Sequence, residues 1–320
     1  MDADVRLWKT AVITGAVLDE AGEPVVQASV RALRRRFLRG QPQWSQAANA
    51  TTDDRGVYRV AGLTPGDYVV AMLSGIASVP ASTADAYWQA MASDDQTSRA
   101  TLGQLASSGT LSAASGVWVG DQRVQTVAGR AVTPPSDPGA PLFIYPRTFY
   151  PATEKPDDAS VITVGSGDER QAVDIRVRPV RTSRVSGVVT GPTGPAPNAR
   201  VTISPASTSD VPQMNAYVDV GMVDTGFTTS TTTTDASGRF TLIGVPAGEY
   251  VVRAAVVKAP SGQNIIRNDD GTVTAITVAA PVAAAGAASP ASNDASSAEM
   301  PLGVPDHDVA GVALTLQPEV

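Results

Sequence analysis

A twelve-residue block occurs twice in this chain, and the residues around it repeat in the same order. Thr52-Asp53-Asp54-Arg55-Gly56-Val57-Tyr58-Arg59-Val60-Ala61-Gly62-Leu63 answers Thr234-Asp235-Ala236-Ser237-Gly238-Arg239-Phe240-Thr241-Leu242-Ile243-Gly244-Val245. Upstream, Val12-Ile13-Thr14-Gly15-Ala16-Val17 answers Arg184-Val185-Ser186-Gly187-Val188-Val189. Downstream, Pro65-Gly66-Asp67-Tyr68-Val69-Val70 answers Pro246-Ala247-Gly248-Glu249-Tyr250-Val251-Val252. A duplication at this spacing constrains the chain to two units of one design.

Each repeated piece has local chemistry that specifies strands and tight turns. Asp-x-x-Gly before an aromatic is hairpin chemistry: the Asp side chain caps the turn and the Gly takes a positive φ. Asp53 with Gly56 and Asp235 with Gly238 are therefore expected to fix two equivalent turns. Tyr58-x-Val60 and Phe240-x-Leu242 alternate with polar residues, as half-buried strands do. Gly62 with Gly66 and Gly244 with Gly248 then bracket a second turn before Tyr68 and Tyr250. That arrangement predicts a tyrosine corner in each unit, with a buried ring tying its hydroxyl to nearby backbone. The segment 173–179 aligns with 312–318, and both end in Pro. Composition agrees, since aromatics are only 5% of 320 residues while Gly and Pro number 28 and 24. The predicted class is all-β: two tandem Ig-like or prealbumin-like β-sandwich modules with a partly helical insert and a low-complexity linker.

These motifs resemble the carboxypeptidase regulatory-like domain, over residues 12–72 and 183–257. The resemblance implies a seven-stranded, transthyretin-like (prealbumin-like) sandwich. It also implies an accessory rather than a catalytic role, so no catalytic residue carries over. The second copy departs at Pro195-Ala196-Pro197, where a shift in strand register is expected. The domain map that follows is a first module over 10–182 (core 12–72, insert 75–139, return strands 140–182). The second module covers 183–320 (core 183–257, linker 280–300, return strand 309–318). In the insert, Ser82 or Thr83 is placed to cap a helix burying Ala84, Tyr87, Trp88 and Met91. A second helix is expected near 99–106, and strands at 117–119 and 273–278. The tract 279–298, with Pro281, Gly286 and Pro290, reads as a surface linker.

Several chemistries are ill served by this residue set. There is no Cys and one His, His307 between two Asp residues, which removes thiolate chemistry and leaves no ligand set for a zinc hydrolase. A triad hydrolase needs a His base beside a nucleophile, and His307 has none nearby. Asp53, Asp54, Asp235 and Glu249 are carboxylates explained by their turns, as are Asp19-Glu20 as candidate Ca²⁺ ligands. Lys9, Lys155 and Lys258 lie outside the repeated strands, which disfavours an intramolecular isopeptide bond. No metal or cofactor is expected.

A net charge of −7 disfavours nucleic acid and anionic membranes as partners. The basic run Arg34-Arg35-Arg36 with Arg39 is read as the solvated tip of a hairpin loop. No run is long and apolar enough for a membrane helix. The expected role is non-catalytic: rigid spacer modules of an exported, extracytoplasmic protein, presenting loops to a protein or polysaccharide. The final strand leads in the first module straight into the next one, so a further module is expected beyond Val320. No signal peptide precedes the first strand, which would fit a truncated start. The alternative role is a carbohydrate-binding sandwich, with Trp88, Trp118, Tyr145 and Tyr150 as candidate ligand contacts. A third is the accessory domain of an enzyme whose catalytic part lies elsewhere.

Overall fold

The computed structural model describes residues 9–38, 41–93, 110–129, 133, 135, 137, 140–206, 228–256, 263–267, 273–278 and 296–318. Its first sandwich uses β1 (Ala11–Leu18), β2 (Ser29–Leu38), β3 (Gln41–Thr51), β4 (Val57–Leu63) and β5 (Gly66–Met72). An insert follows: β6 (Gly75–Pro80), helix α1 (Ala81–Ala92), a 3₁₀ turn Leu111–Ser115, β7 (Val117–Val119) and β8 (Gln122–Ala128). Short strands then return: β9 (Phe143–Ile144), β10 (Thr148–Phe149), β11 (Ile162–Val164), β12 (Glu169–Arg170) and β13 (Ile175–Arg176). The second sandwich comprises β14 (Val180–Gly191), β15 (Gly194–Pro195), β16 (Arg200–Pro205), β17 (Ser230–Thr233), β18 (Arg239–Pro246) and β19 (Gly248–Val256). After these come a hairpin β20 (Gln263–Arg267) and β21 (Val273–Val278), then β22 (Ser296–Val304), β23 (Val309–Thr315) and β24 (Gln317–Pro318).

In the first sandwich β1 lies between β4 and the parallel pieces β12 and β13, and faces a sheet ordered β10-β5-β2-β3. Alternation along β1 turns Ala11, Ile13, Gly15 and Val17 inward. They meet Val30, Ala32, Tyr68, Val70 and Met72 of the other sheet, which together form the first core. The second sandwich sets β14, β18 and the parallel β23 against β16 and β19. Its core is Val185, Val189, Phe240 and Leu242 against Val201, Ile203 and Val252.

Register is the same in both. Gly15 stands opposite Tyr58 and Gly187 opposite Phe240, with an irregularity two to four residues upstream in each case. Val30 pairs Met72 and Val201 pairs Ala254, while Arg34 pairs Tyr68 and Pro205 pairs Tyr250. The expected register shift at Pro195-Ala196-Pro197 does not occur. The Ala196 amide donates to the Val189 carbonyl at 3.0 Å, as the Val25 amide does to Val17 at 2.9 Å. The same backbone bond thus fixes both edges although different side chains flank it.

Other expectations are corrected. Helix α1 begins at Ala81 on an N-cap at Pro80, so Ser82 and Thr83 lie inside its first turn and neither caps it. Its inward face is Thr83, Ala84 and Ala90, leaving Trp88 46% exposed. Arg34-Arg35-Arg36 lie on β2 rather than at a loop tip. Arg34 donates to Thr64 Oγ1 at 2.7 Å and to the Pro65 carbonyl at 3.0 Å, bracing the turn before Tyr68. The helix expected near 99–106 and most of the 280–300 tract lie outside the described residues. Residues 296–300, however, are strand, paired along β19.

Candidate functional site

The repeated motifs build turns, and they do so with matching bonds. Asp53 Oδ1 accepts the amides of Arg55 at 3.0 Å and Val57 at 2.8 Å. Asp235 Oδ1 accepts those of Ser237 at 2.8 Å and Arg239 at 2.9 Å. The amide bond from Val57 holds the Asp53 carboxyl below its ordinary range, helped by Arg55. At Asp235 partial burial pushes upward, but the bonds from Ser237 and Arg239 win and the net direction is down. Gly56 and Gly238 take φ of +71° and +73°, the left-handed region that Gly enters without a Cβ penalty.

Two further devices were not singled out from sequence. The Thr52 hydroxyl accepts the Ala28 amide at 2.8 Å and donates to the Val25 carbonyl at 2.6 Å. Thr234 does the same between Ala199 and Ala196, at the same two distances. Both strap the preceding loop, whose Gln27 and Asn198 adopt φ of 58° and 56°. The signal was the Thr that precedes each repeated Asp. The second device is steric. A Cβ on Gly15 would lie 1.9 Å from the Val173 carbonyl oxygen, and one on Gly187 would lie 2.0 Å from that of Val312. Only Gly lets the parallel strand approach this closely.

The corner tyrosines diverge. Tyr68 is buried and its hydroxyl donates to the Thr64 carbonyl at 2.6 Å. Tyr250 is buried as well, but its hydroxyl has no hydrogen-bond partner among the described residues, and the residue equivalent to Thr64 is Pro246. Its ring instead lies over Gly248, within 3.2 Å of where a Cβ would stand. Burial raises the Tyr250 phenol pKa, with Glu154 adding and Arg147 opposing. Burial in turn pulls the Arg147 guanidinium down to about 10.

The two sandwiches join along a seam. Strand β17 is the counterpart of β3: Ser29 pairs Thr51 and Arg200 pairs Thr233. Among the described residues the outer edge of β3 takes no further strand, whereas β17 takes β6 of the insert in parallel, Ser230 opposite Ile76 and Thr231 opposite Ala77. The result is one sheet of eight strands, β24-β22-β19-β16-β17-β6-β8-β7, with its last three from the insert. On one face Ile76, Val119 and Val124 pack with Leu142, Ile144 and Ile243. Ile76 sits over Gly244, where a Cβ would come within 2.3 Å of its Cδ1. On the other face Ala77 and Val79 pack with Ala84, Ala113 and Ala114. Buried hydroxyls cross the seam: Thr110 Oγ1 and Thr233 Oγ1 are 2.5 Å apart, and Ser78 Oγ donates to the Thr241 carbonyl at 3.3 Å.

The four candidate ligand-contact aromatics do not form one patch. Trp118 is 47% exposed on the edge strand β7, with the Arg123 guanidinium 4.4 Å over its ring. Trp88 meets Tyr87 edge to face at 4.9 Å on α1. Tyr145 and Tyr150 pack against the first core, and the Tyr145 hydroxyl lies 3.1 Å from Glu20 Oε2. Tyr145 also lines a groove of about 340 Å³ with Phe143, Ile144, Pro141, Pro179 and Ile76. His307 is exposed, 3.3 Å from Asp306, and no cluster of three metal-ligating side chains occurs among the described residues. No helix among them is long and apolar enough to cross a membrane.

The fold is therefore an all-β pair of sandwiches joined through a shared sheet. The carboxypeptidase regulatory-like domain family matches residues 12–90, which takes in the first sandwich's β1 to β5 and ends within α1. No curated protein matches the chain. Among solved structures, the Bacillus anthracis TIE protein is similar at 12% identity and a TM-score of 0.21, over 96% of this chain and 34% of that one. A Streptococcal ancillary pilin is similar at 9% identity and a TM-score of 0.28, over 97% and 63%. The PA1324 protein of Pseudomonas aeruginosa is similar at 17% identity and a TM-score of 0.23, over 42% and 87%. The chain spans about a third of the first of these and under two thirds of the second.

Proposed function

We propose that this chain is a non-catalytic, extracytoplasmic spacer: two modules of the same family, 10–182 and 183–320, held as one rigid body that presents loops to a partner. The duplicated Asp, Thr and Gly devices support the two-module map, because the same bonds recur at equivalent positions in both halves. One observation carries the spacer reading, and it is the eight-stranded sheet whose strands come from both modules. Backbone pairing across a domain boundary removes the hinge that a linker would supply, since bending there would break ladder bonds and open a packed apolar layer.

Small-angle scattering is the direct test. A rigid pair gives a profile that one conformation fits, unchanged from low to high salt. A profile that only an ensemble of bent forms can fit would remove the spacer reading. The alternative, carbohydrate binding, is favoured by one feature, the half-exposed Trp118 ring held from one side by Arg123. Glycan-array binding that Trp118→Ala abolishes would establish it.

A further inference from the structure

The seam is apolar on both faces yet contains polar atoms that bond to nothing. Among the described residues, Gln122 Oε1, Arg123 Nε and Gln125 Oε1 on β8 and Thr232 Oγ1 on β17 are buried without a hydrogen-bond partner. Gln122 is 3% exposed and Thr232 fully buried. The registers set them on either side of β6, Thr232 on β17 and the other three on β8. Pro80 of β6 stands opposite Gln122 and Ala77 opposite Gln125, while Thr231, beside Thr232, stands opposite Ala77. Nothing of this kind occurs among the described residues of the first core or of the β16–β19 ladder. A buried, unpaired polar group is less favourable than a hydrated one, and of these four Thr232 stands on β17 itself while the other three lie on β8 within the insert.

The pairing between β6 and β17 is short. Strand β6 matches β17 over two residue pairs, with one more bond from the Ile76 amide to the Thr229 carbonyl at 3.1 Å. Within the insert, β6 matches β8 over six pairs. In the second sandwich β16 matches β19 over six and β19 matches β22 over nine. Opening between β6 and β17 therefore breaks few backbone bonds, besides the Thr110–Thr233 and Ser78–Thr241 hydroxyl bonds, leaves the insert's own ladder whole and exposes the edge of β17 that carries Thr232. Opening the β16–β17 or the β6–β8 ladder breaks more backbone pairs, four and six. Low-stability units of this type open on their own while the cores stay folded.

We propose that the insert is a releasable latch: β6, β7, β8 and α1 undock from β17 as a unit, turning the rigid pair into two hinged modules. This deepens the spacer reading, because it locates where that rigidity can be switched off. Closure is held by Ile76 in the space over Gly244 and by the apolar contacts with Val124 and Ile243. Release is favoured by the unpaired Thr232 hydroxyl.

Native-state hydrogen exchange on the whole chain tests this. The seam amides, above all Ile76, should exchange by an opening only weakly dependent on denaturant, well before the β16 and β19 amides. Thr232→Val keeps the shape and removes an unpaired hydroxyl, so it should raise seam protection about tenfold or more and leave β16 and β19 unchanged. Ile76→Ala should lower seam protection in the same assay. Seam amides that exchange only with global unfolding, at the rate and denaturant slope of β16 and β19, would overturn the latch. So would a Thr232→Val protein with unaltered seam protection. Exchange and scattering separate the two claims: a single rigid scattering profile with uniform exchange defeats the latch alone, and an ensemble profile at rest defeats the spacer reading.

Discussion

Loss of the Tyr68 hydroxyl removes a short bond to the Thr64 carbonyl, whereas Tyr250 has no such bond to lose. Tyr68→Phe is accordingly expected to cost about 0.5–1.5 kcal/mol in urea unfolding, and Tyr250→Phe close to nothing. Equal shifts in the two variants would mean that both rings anchor their turns in one way. The glycines under the parallel strands predict larger effects. Gly15→Ala and Gly187→Ala each drive a methyl into a backbone carbonyl at about 2 Å. With no side chain there to move aside, each should cost about 3 kcal/mol or more, seen as lost soluble yield or a lowered midpoint. What was readable at this scale is what acts locally. Asp53, Gly56, Asp235 and Gly238 bond within four residues, so their role can be read from a short string. Gly15 was visible only as a repeated letter, because the atom that forbids a side chain there belongs to Val173, far along the chain.

The Asp-capped turns are elements with a pH signature. Both carboxyls are held below their ordinary range in the folded protein by amide donors. The unfolded chain thus binds protons first on acidification. The stabilisation is complete above the unfolded Asp value of about 4 and is lost as pH falls through the lower folded values. Wild-type protein should lose stability between pH 7 and pH 3. Asp235→Asn, which keeps an acceptor oxygen but cannot titrate, should lose less over that interval; equal losses would count against the turn as a contributor. Helix α1 shows why the element scale was only half legible. Helical spacing put Trp88 on the inner stripe with Ala84 and Tyr87. The structure turns the helix so that Ala84 and Ala90 face in, towards a layer of Ala77, Ala113 and Ala114 that leaves no room for an indole. Periodicity gave the helix but not the size of the gap it fills.

At the scale of the whole molecule, the duplication made two sandwiches foreseeable, yet nothing in the string announced that they share a sheet. Strand 75–80 and strand 230–233 are joined through backbone groups, which every residue carries, over a separation of about 150 residues. Side-chain patterning marks which face of a strand is buried and says little about which edge meets which. The equivalent edges make the point. In the first sandwich β3 runs on as a long hairpin with β2, and in the second β17 ends the repeated part and the insert extends it. The repeat predicts the edge, and the unrepeated insert decides its fate.

The absence of Cys from the sequence allows a clean distance measurement between the modules, because two introduced thiols are the only ones to label. Val161 on the first sandwich and Ala313 on the second are exposed positions. Pulsed electron–electron resonance on spin-labelled Val161→Cys/Ala313→Cys protein is expected to give one narrow distance distribution. It should broaden when Ile76→Asp places a charge in the apolar seam. A distribution that is already broad or multiple in the otherwise unaltered protein would contradict the rigid, sheet-joined pair.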